Sequence, residues 1–240
     1  MATTFFVVDP QYIDGTELSL SPLHNDTSTS IIIWRLVCTR NGASPRGLYL
    51  PLDKTLVVKA LSELFPQLST SCTAGPDIDR IEACLTNEDT FTLLLATETL
   101  ETITLRQPEI NADQITLQEE ITTNSNVTTM PTTTAFEKTS GSPKVSFKIT
   151  KIVGCLTLVT LKLLMNNRAH IEDLVVSDIC RGKGVGRGLM KRALDEAVFA
   201  RHCKIVDLTS KPDRVQARAL YESLGFKIRD TGAFRYYATS

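Results

Sequence analysis

The chain has 240 residues, 42% of them hydrophobic, with 26 lysines and arginines against 27 aspartates and glutamates and a formal charge of −1. That is enough for one well-buried domain with embellishments, and a near-neutral chain has no global field to hold nucleic acid or an anionic membrane, so a charged ligand must be met locally. Six cysteines (Cys38, Cys72, Cys84, Cys155, Cys180, Cys203) lack a C-x-x-C pair or a histidine at metal-ligand spacing, so we read them as reduced thiols and expect no metal.

The first apolar run, Phe5 to Val8, has no basic residue before Arg35 and meets Asp9 and Pro10 at once. It does not read as a targeting segment, and no apolar stretch is long enough to span a bilayer, so the expected setting is cytoplasmic. Residues 1–29 give only weak strand signals and are taken as an N-terminal extension. Ile31 to Val37 is β-branched and predicts a strand that ends at Asn41-Gly42. Leu56, Val57, Ala60, Leu61, Leu64 and Leu68 recur at helical spacing, with Pro66 near the end. After Gly75-Pro76, Asp77 predicts the cap of a shorter helix carrying Ile78, Ile81 and Leu85. Phe91 to Ala96 predicts a strand.

From about residue 99 to 144 the chain is dominated by Thr, Asn, Ser and Glu. Such a segment buries too little to offset its ordering entropy, and we read it as a flexible, Thr-rich loop lengthening the connection between two strands of one domain. Lys151 to Leu164 and His170 to Val176 predict the next strands. Then come a glycine-rich turn, a helix striped by Leu189, Met190, Ala193, Leu194, Ala197 and Val198, and a strand at Ile205 to Leu208. A helix from Asp213 to Leu224 closes at Gly225, and short strands are predicted at Phe226 to Arg229 and Phe234 to Tyr237.

The turn reads Arg181-Gly182-Lys183-Gly184-Val185-Gly186-Arg187-Gly188. Closely spaced glycines let backbone approach a ligand, and their N–H groups together with a helix N-terminus form an anion site. Arg181, Lys183 and Arg187 add charge, and without an anion the three would repel one another. A P-loop would need G-x-x-x-x-G-K followed by Ser or Thr, which is missing. A dinucleotide fingerprint would need G-x-G-x-x-G, but from Gly182 or Gly184 the sixth position is Arg187 or Leu189, although Asp207 imitates the ribose-binding acid.

Arg181, Gly184 and Gly186, following Ile171-Glu172-Asp173-Leu174-Val175-Val176, match R/Q-x-x-G-x-G/A, and Ala217, Leu220, Tyr221, Leu224, Gly225 and Phe226 match A-x-x-L-Y-x-x-L-G-F. In both motifs the chain resembles the GNAT superfamily of acetyl-coenzyme A-dependent N-acetyltransferases. The resemblance covers about 30–98 and 145–240. Arg214 stands where many members carry Asn.

The resemblance implies an α/β fold: a mixed, mostly antiparallel sheet flanked by helices, as a single domain over 1–240. That sheet is expected to split between the strands at 170–176 and 205–208. Acetyl-CoA would be the acyl donor, its pantetheine arm pairing with backbone at Val175 and Val176 and its pyrophosphate meeting the N–H groups of Gly182, Lys183, Gly184, Val185, Gly186 and Arg187. Besides acetyl-CoA the partner is an amine acceptor; neither nucleic acid nor membrane is expected, and a homodimer is allowed.

Transfer to an amine needs a base, since an alkyl ammonium has a pKa near ~10.4, and an acid for the departing thiolate. Strand alternation sends Glu172 and Asp173 to opposite faces, so one acid meets the substrate. By likeness to related polyamine acetyltransferases we take Glu172 as the base, and Tyr221 as the acid. The expected function is direct transfer of acetyl to a primary amine. Two competitors are a catalytically idle acyl-CoA-binding module with an interaction loop, and a dinucleotide-dependent oxidoreductase.

Overall fold

The computed structural model describes residues 3–8, 27–40, 49–69, 72–104 and 144–238. Seven strands form one sheet in the order β3-β1-β2-β4-β5-β6-β7. They are β1 (Thr3–Val8), β2 (Thr27–Arg40), β3 (Tyr49–Leu52), β4 (Phe91–Thr104), β5 (Lys144–Lys162), β6 (Asn167–Val176) and β7 (Ile205–Leu208). Every neighbouring pair is antiparallel except β6 with β7. The mixed, mostly antiparallel α/β sheet expected from the motifs is therefore present.

Helices cover both faces. On one side α1 (Lys54–Leu68) and α2 (Ile78–Leu85) bury Val57, Leu61, Leu64, Ile81 and Leu85 against Phe5, Trp34, Leu36 and Leu95. On the other, α3 (Val185–Asp195) sets Val185, Leu189, Met190 and Ala193 on Leu94, Leu156, Leu158 and Ile171, with α4 (Val215–Ser223) packed beside it through Leu220 and Tyr221. Asp53 and Asp77 cap α1 and α2 by accepting from the N–H groups of Thr55 and Arg80. That satisfies donors which helix geometry leaves open. None of the described helices is long and apolar enough to cross a membrane.

The structure corrects three expectations. First, Thr3–Val8 is no extension but an interior strand of the sheet, between β3 and β2. Phe5, Phe6, Val7 and Val8 are all buried, so the run is continuously apolar because both faces are covered. Second, β4 continues to Thr104 and pairs with β5 down to Lys144, so the polar segment does not begin at 99. Thr97 and Thr99 are fully buried: Trp34 Nε1 donates to Thr97 Oγ1 at 2.9 Å, and the two threonine hydroxyls bond at 2.7 Å. Threonine is a good strand former once its hydroxyl has a partner. The rest of the expected insertion, 105–143, lies outside the described residues, as does most of the expected extension. Third, residues 226–238 carry no strand, and Phe234, Tyr236 and Tyr237 are exposed.

The end of α3 departs from regular winding. Residues 196–200 form a π-helical turn that carries Glu196 inward, 5% exposed, to meet Arg201 at 3.1 Å and Arg35 of β2 at 3.5 Å. Burial lowers the Arg35 pKa, opposed by the Glu196 charge. The cysteines among these elements are free, with Cys38, Cys155, Cys180 and Cys203 buried.

Candidate active site

The site starts from an irregularity in β6. Cys155 pairs with Val175 and Thr157 with Glu172, so the single residue Leu156 faces two, Asp173 and Leu174. This is a β-bulge, and Asp173 takes the left-handed conformation it needs, at φ 51°. Asp is among the few non-glycine types that tolerate that region. Gly154 allows the close approach of β5 to β6: a Cβ there would lie 2.9 Å from the Val175 carbonyl oxygen.

The bulge cancels the alternation expected of Glu172 and Asp173. The Asp173 carboxyl is hydrogen-bonded by Thr157, the residue that stands opposite Glu172, so both acids turn to one side of the sheet. Their environments differ. Glu172 is half exposed and pairs with His170 at 3.2 Å. Asp173 sits more deeply, and desolvation raises its pKa against the opposing Thr157 bond. Beneath it, buried Cys155 donates to the Asp173 carbonyl at 3.7 Å, and its own pKa is pushed up by burial and by the Asp173 charge.

Beyond the bulge the sheet opens. β6 and β7 pair only over Arg168–Ile171 and Ile205–Leu208. The edge of Glu172 to Val176 that faces β7 therefore has no strand beside it. The expected split between these two strands is present, and Val175 and Val176 line it through backbone.

At the end of that edge the glycine turn leads into α3. Gly182 and Gly184 have φ of +75° and +82°, and Cβ atoms added to them would meet nothing within 4 Å. The cradle is open, and positive φ is why glycine stands there. The Gly188 N–H bonds back to the Gly184 carbonyl as the first turn of the helix, so the N–H groups of Val185, Gly186 and Arg187 precede the helical ladder. Gly186 fits against α4 and β6, its would-be Cβ 3.5 Å from Leu220 Cδ2 and 3.7 Å from Val176 Cγ2. These features fit a phosphate-bearing anionic ligand.

The cations around the turn behave differently from expectation. Arg181 holds Asp178 at 2.7 Å and donates from Nε to the Val176 carbonyl at 3.4 Å, bracing the turn rather than reaching outward. Arg187 donates to Ser223 Oγ of α4 at 2.7 Å. Lys183 makes no ion pair among the described residues. Asp178 offsets one of the three charges, which weakens their mutual repulsion as an argument for an anion, whereas the neutral Ser223 positions Arg187 without offsetting its charge.

Tyr221 of α4 is partly buried against the core that α3 shares with the sheet, its ring edge-on to Phe226 at 6.2 Å between centroids. Desolvation raises its pKa, while the Arg214 charge acts the other way. Arg214, unassigned from sequence, donates to the Leu68 carbonyl at 2.8 Å and ties the start of α4 to the end of α1. A cavity of about 270 Å³ opens there, lined by Pro66 to Ser69 and by Lys211, Asp213 and Arg214. Gln67 joins it to the end of β6 by accepting from the Asp178 N–H at 3.1 Å. Sequence reading missed Asp173 and Thr157 as a pair, since no residue pattern announces a bulge.

Residues 115–226 match the sequence model of the acetyltransferase (GNAT) family, a span that runs through β5, the bulge, the glycine turn and α4. Over that span the chain is similar to GNAT-family acetyltransferases. Solved structures support the fold: an aminoglycoside acetyltransferase from an uncultured soil metagenomic sample, in complex with trehalose, superposes at a TM-score of 0.50. It is 17% identical, over 88% of this chain and 97% of that one. Its complex with sisomicin gives the same TM-score at 16% identity, again over 88% and 97%. A search of curated proteins finds no significant match. The GNAT sequence match leaves out β1 to β4, α1 and α2, which join the fold through the sheet.

Proposed function

We propose that this chain is an acetyl-CoA-dependent N-acetyltransferase that moves acetyl directly to a primary amine. The observation that carries the reading is the junction of three features at the end of β6: the bulge at Asp173, the unpartnered edge from Glu172 to Val176, and the open glycine cradle at the start of α3. Bound acetyl-CoA would supply a thioester carbonyl. Val175 and Val176 hold the arm through backbone, and the N–H groups from Gly182 to Arg187 hold the diphosphate.

Asp173 takes the role that sequence alone gave to Glu172. The amine nitrogen forms a bond to the thioester carbon as the carbon–sulfur bond breaks. Asp173, directly or through water, removes the amine proton, and the Tyr221 hydroxyl returns a proton to sulfur. Supporting this division, burial keeps the Tyr221 proton in place at neutral pH and makes Asp173 a stronger base than an exposed carboxylate. Glu172, spent on His170, orients or screens the acceptor.

Two measurements test the reading. Saturating acetyl-CoA should raise the melting temperature by roughly 5–10 °C, as follows from ~2.7 kcal/mol at a hundredfold excess over Kd. NAD should not. Mass-spectrometric screening of primary amines with labelled acetyl-CoA should then yield N-acetyl products. Stabilisation by NAD alone would overturn the reading, and acetyl-CoA binding with no product on any amine would leave the idle acyl-CoA-binding module.

A further inference from the structure

The hairpin joining β5 to β6 closes with Lys162 opposite Asn167, and its four-residue tip is Leu163-Leu164-Met165-Asn166. Such tips are ordinarily polar, because their backbone and side chains face water. Here Leu164 and Met165 are fully exposed (106% and 92%) and Leu163 and Leu161 about half exposed. Phe199, 73% exposed, lies at the same end. The connection is made by hydrogen bonds: Lys204 N–H to the Asn167 carbonyl, Asn167 Nδ2 to the Arg201 carbonyl, and Cys203 N–H to the Ala197 carbonyl.

Three cations stand at the base of this tip: Lys162 and Arg168 in the strands that carry it, and Lys204, whose N–H bonds the Asn167 carbonyl. Of the carboxylates at this end, Asp89 bonds Lys162 at 3.1 Å and Glu196 is buried between Arg35 and Arg201, while Glu88 is exposed. Arg168 and Lys204 make no ion pair among the described residues.

We propose that this hairpin tip docks on an anionic lipid surface. Two physical points select a bilayer over a protein groove. Consecutive side chains at a four-residue turn point in different directions, so a rigid surface covers one or two of them, whereas fluid acyl chains surround all three. Lys162, Arg168 and Lys204 just behind an apolar tip match the depth order of a membrane interface, apolar interior first and anionic headgroups next. Overall charge gave no reason to expect a membrane partner; the match is local. The tip lies at the start of β6 and the glycine cradle beyond its end, about 30 Å away for a ten-residue strand. Docking therefore leaves the acetyl-CoA site facing water.

The test is co-sedimentation of the full chain with vesicles of phosphatidylcholine alone or containing about 30% phosphatidylserine. The chain should pellet with the anionic vesicles at least tenfold more strongly than with neutral ones, and less so as salt rises. Leu163→Ser/Leu164→Ser/Met165→Ser should lose at least tenfold while keeping the acetyl-CoA thermal shift. Leu164→Trp should show blue-shifted emission on anionic vesicles, and since the native Trp34 is buried this signal belongs to the tip. If the triple variant fails to fold, the single Leu164→Asp at a fully exposed position takes its place. Absence of pelleting, pelleting that the tip variants leave unchanged, or a tip variant that instead dissociates a dimer in sedimentation velocity would each overturn the proposal.

Discussion

At the scale of single residues the decisive contrast is between two adjacent acids. Asp173 has a raised pKa from desolvation, so the folded protein holds a proton that the unfolded chain releases. In the window above the ordinary carboxylate range, stability therefore falls as pH rises through the folded value. Asn tolerates the left-handed conformation and carries no charge. Asp173→Asn should thus raise the melting temperature at neutral pH, lower the maximal rate by about 10² to 10⁴, and abolish the acidic limb of the rate profile. A variant with an unchanged limb would return the role to Glu172 or to water. Tyr221→Phe keeps the ring against Phe226 and removes the hydroxyl. The rate at saturating acetyl-CoA should drop by about 10² to 10⁴ with little change in cofactor affinity. A merely structural hydroxyl predicts the opposite, a stability loss of roughly 1 kcal/mol with turnover intact.

Among elements, the glycine turn and the end of α3 carry separable roles. Gly184 is the cleaner target, because a side chain there meets open space whereas one at Gly186 starts in contact with Leu220 and Val176. Gly184→Asp should leave a folded protein, destabilised by the roughly 1–2 kcal/mol of a left-handed non-glycine residue, and should abolish acetyl-CoA binding through charge repulsion. Calorimetric titration checks this, and unchanged affinity would move the site away from the turn. At the other end of α3, Glu196→Gln leaves Arg35 and Arg201 without their shared carboxylate. Breaking a buried pair on one side costs about 3 kcal/mol, so the melting temperature should fall by roughly 6–10 °C with acetyl-CoA affinity preserved.

For the whole molecule, the sheet runs unbroken from β3 to β7, and β4 with β5 supplies its longest antiparallel pair. The connection between them closes strands that are already paired along Phe91–Thr104. Replacing 105–143 by a short Gly/Ser linker should therefore preserve a single cooperative thermal transition to within a few degrees, since loop closure depends only logarithmically on length. Loss of soluble protein would show that this segment packs on the domain. The boundary matters: cutting at 100 would remove the β4 residues paired with Lys144 to Lys148.

The sequence by itself determined the elements whose signals are local. Helical spacing from Leu56 to Leu68, the Asp77 cap, the glycines from 182 to 188 and the Gly225 stop, at φ 91°, are each set within a few residues. The tertiary structure decided what depends on distant partners. Phe5 to Val8 is a strand because β2 and β3 flank it, and Thr97 to Thr104 because Trp34 and β5 satisfy it. The turning of Asp173 beside Glu172 arises from a two-against-one register with β5, a relation between strands that no pattern along β6 encodes.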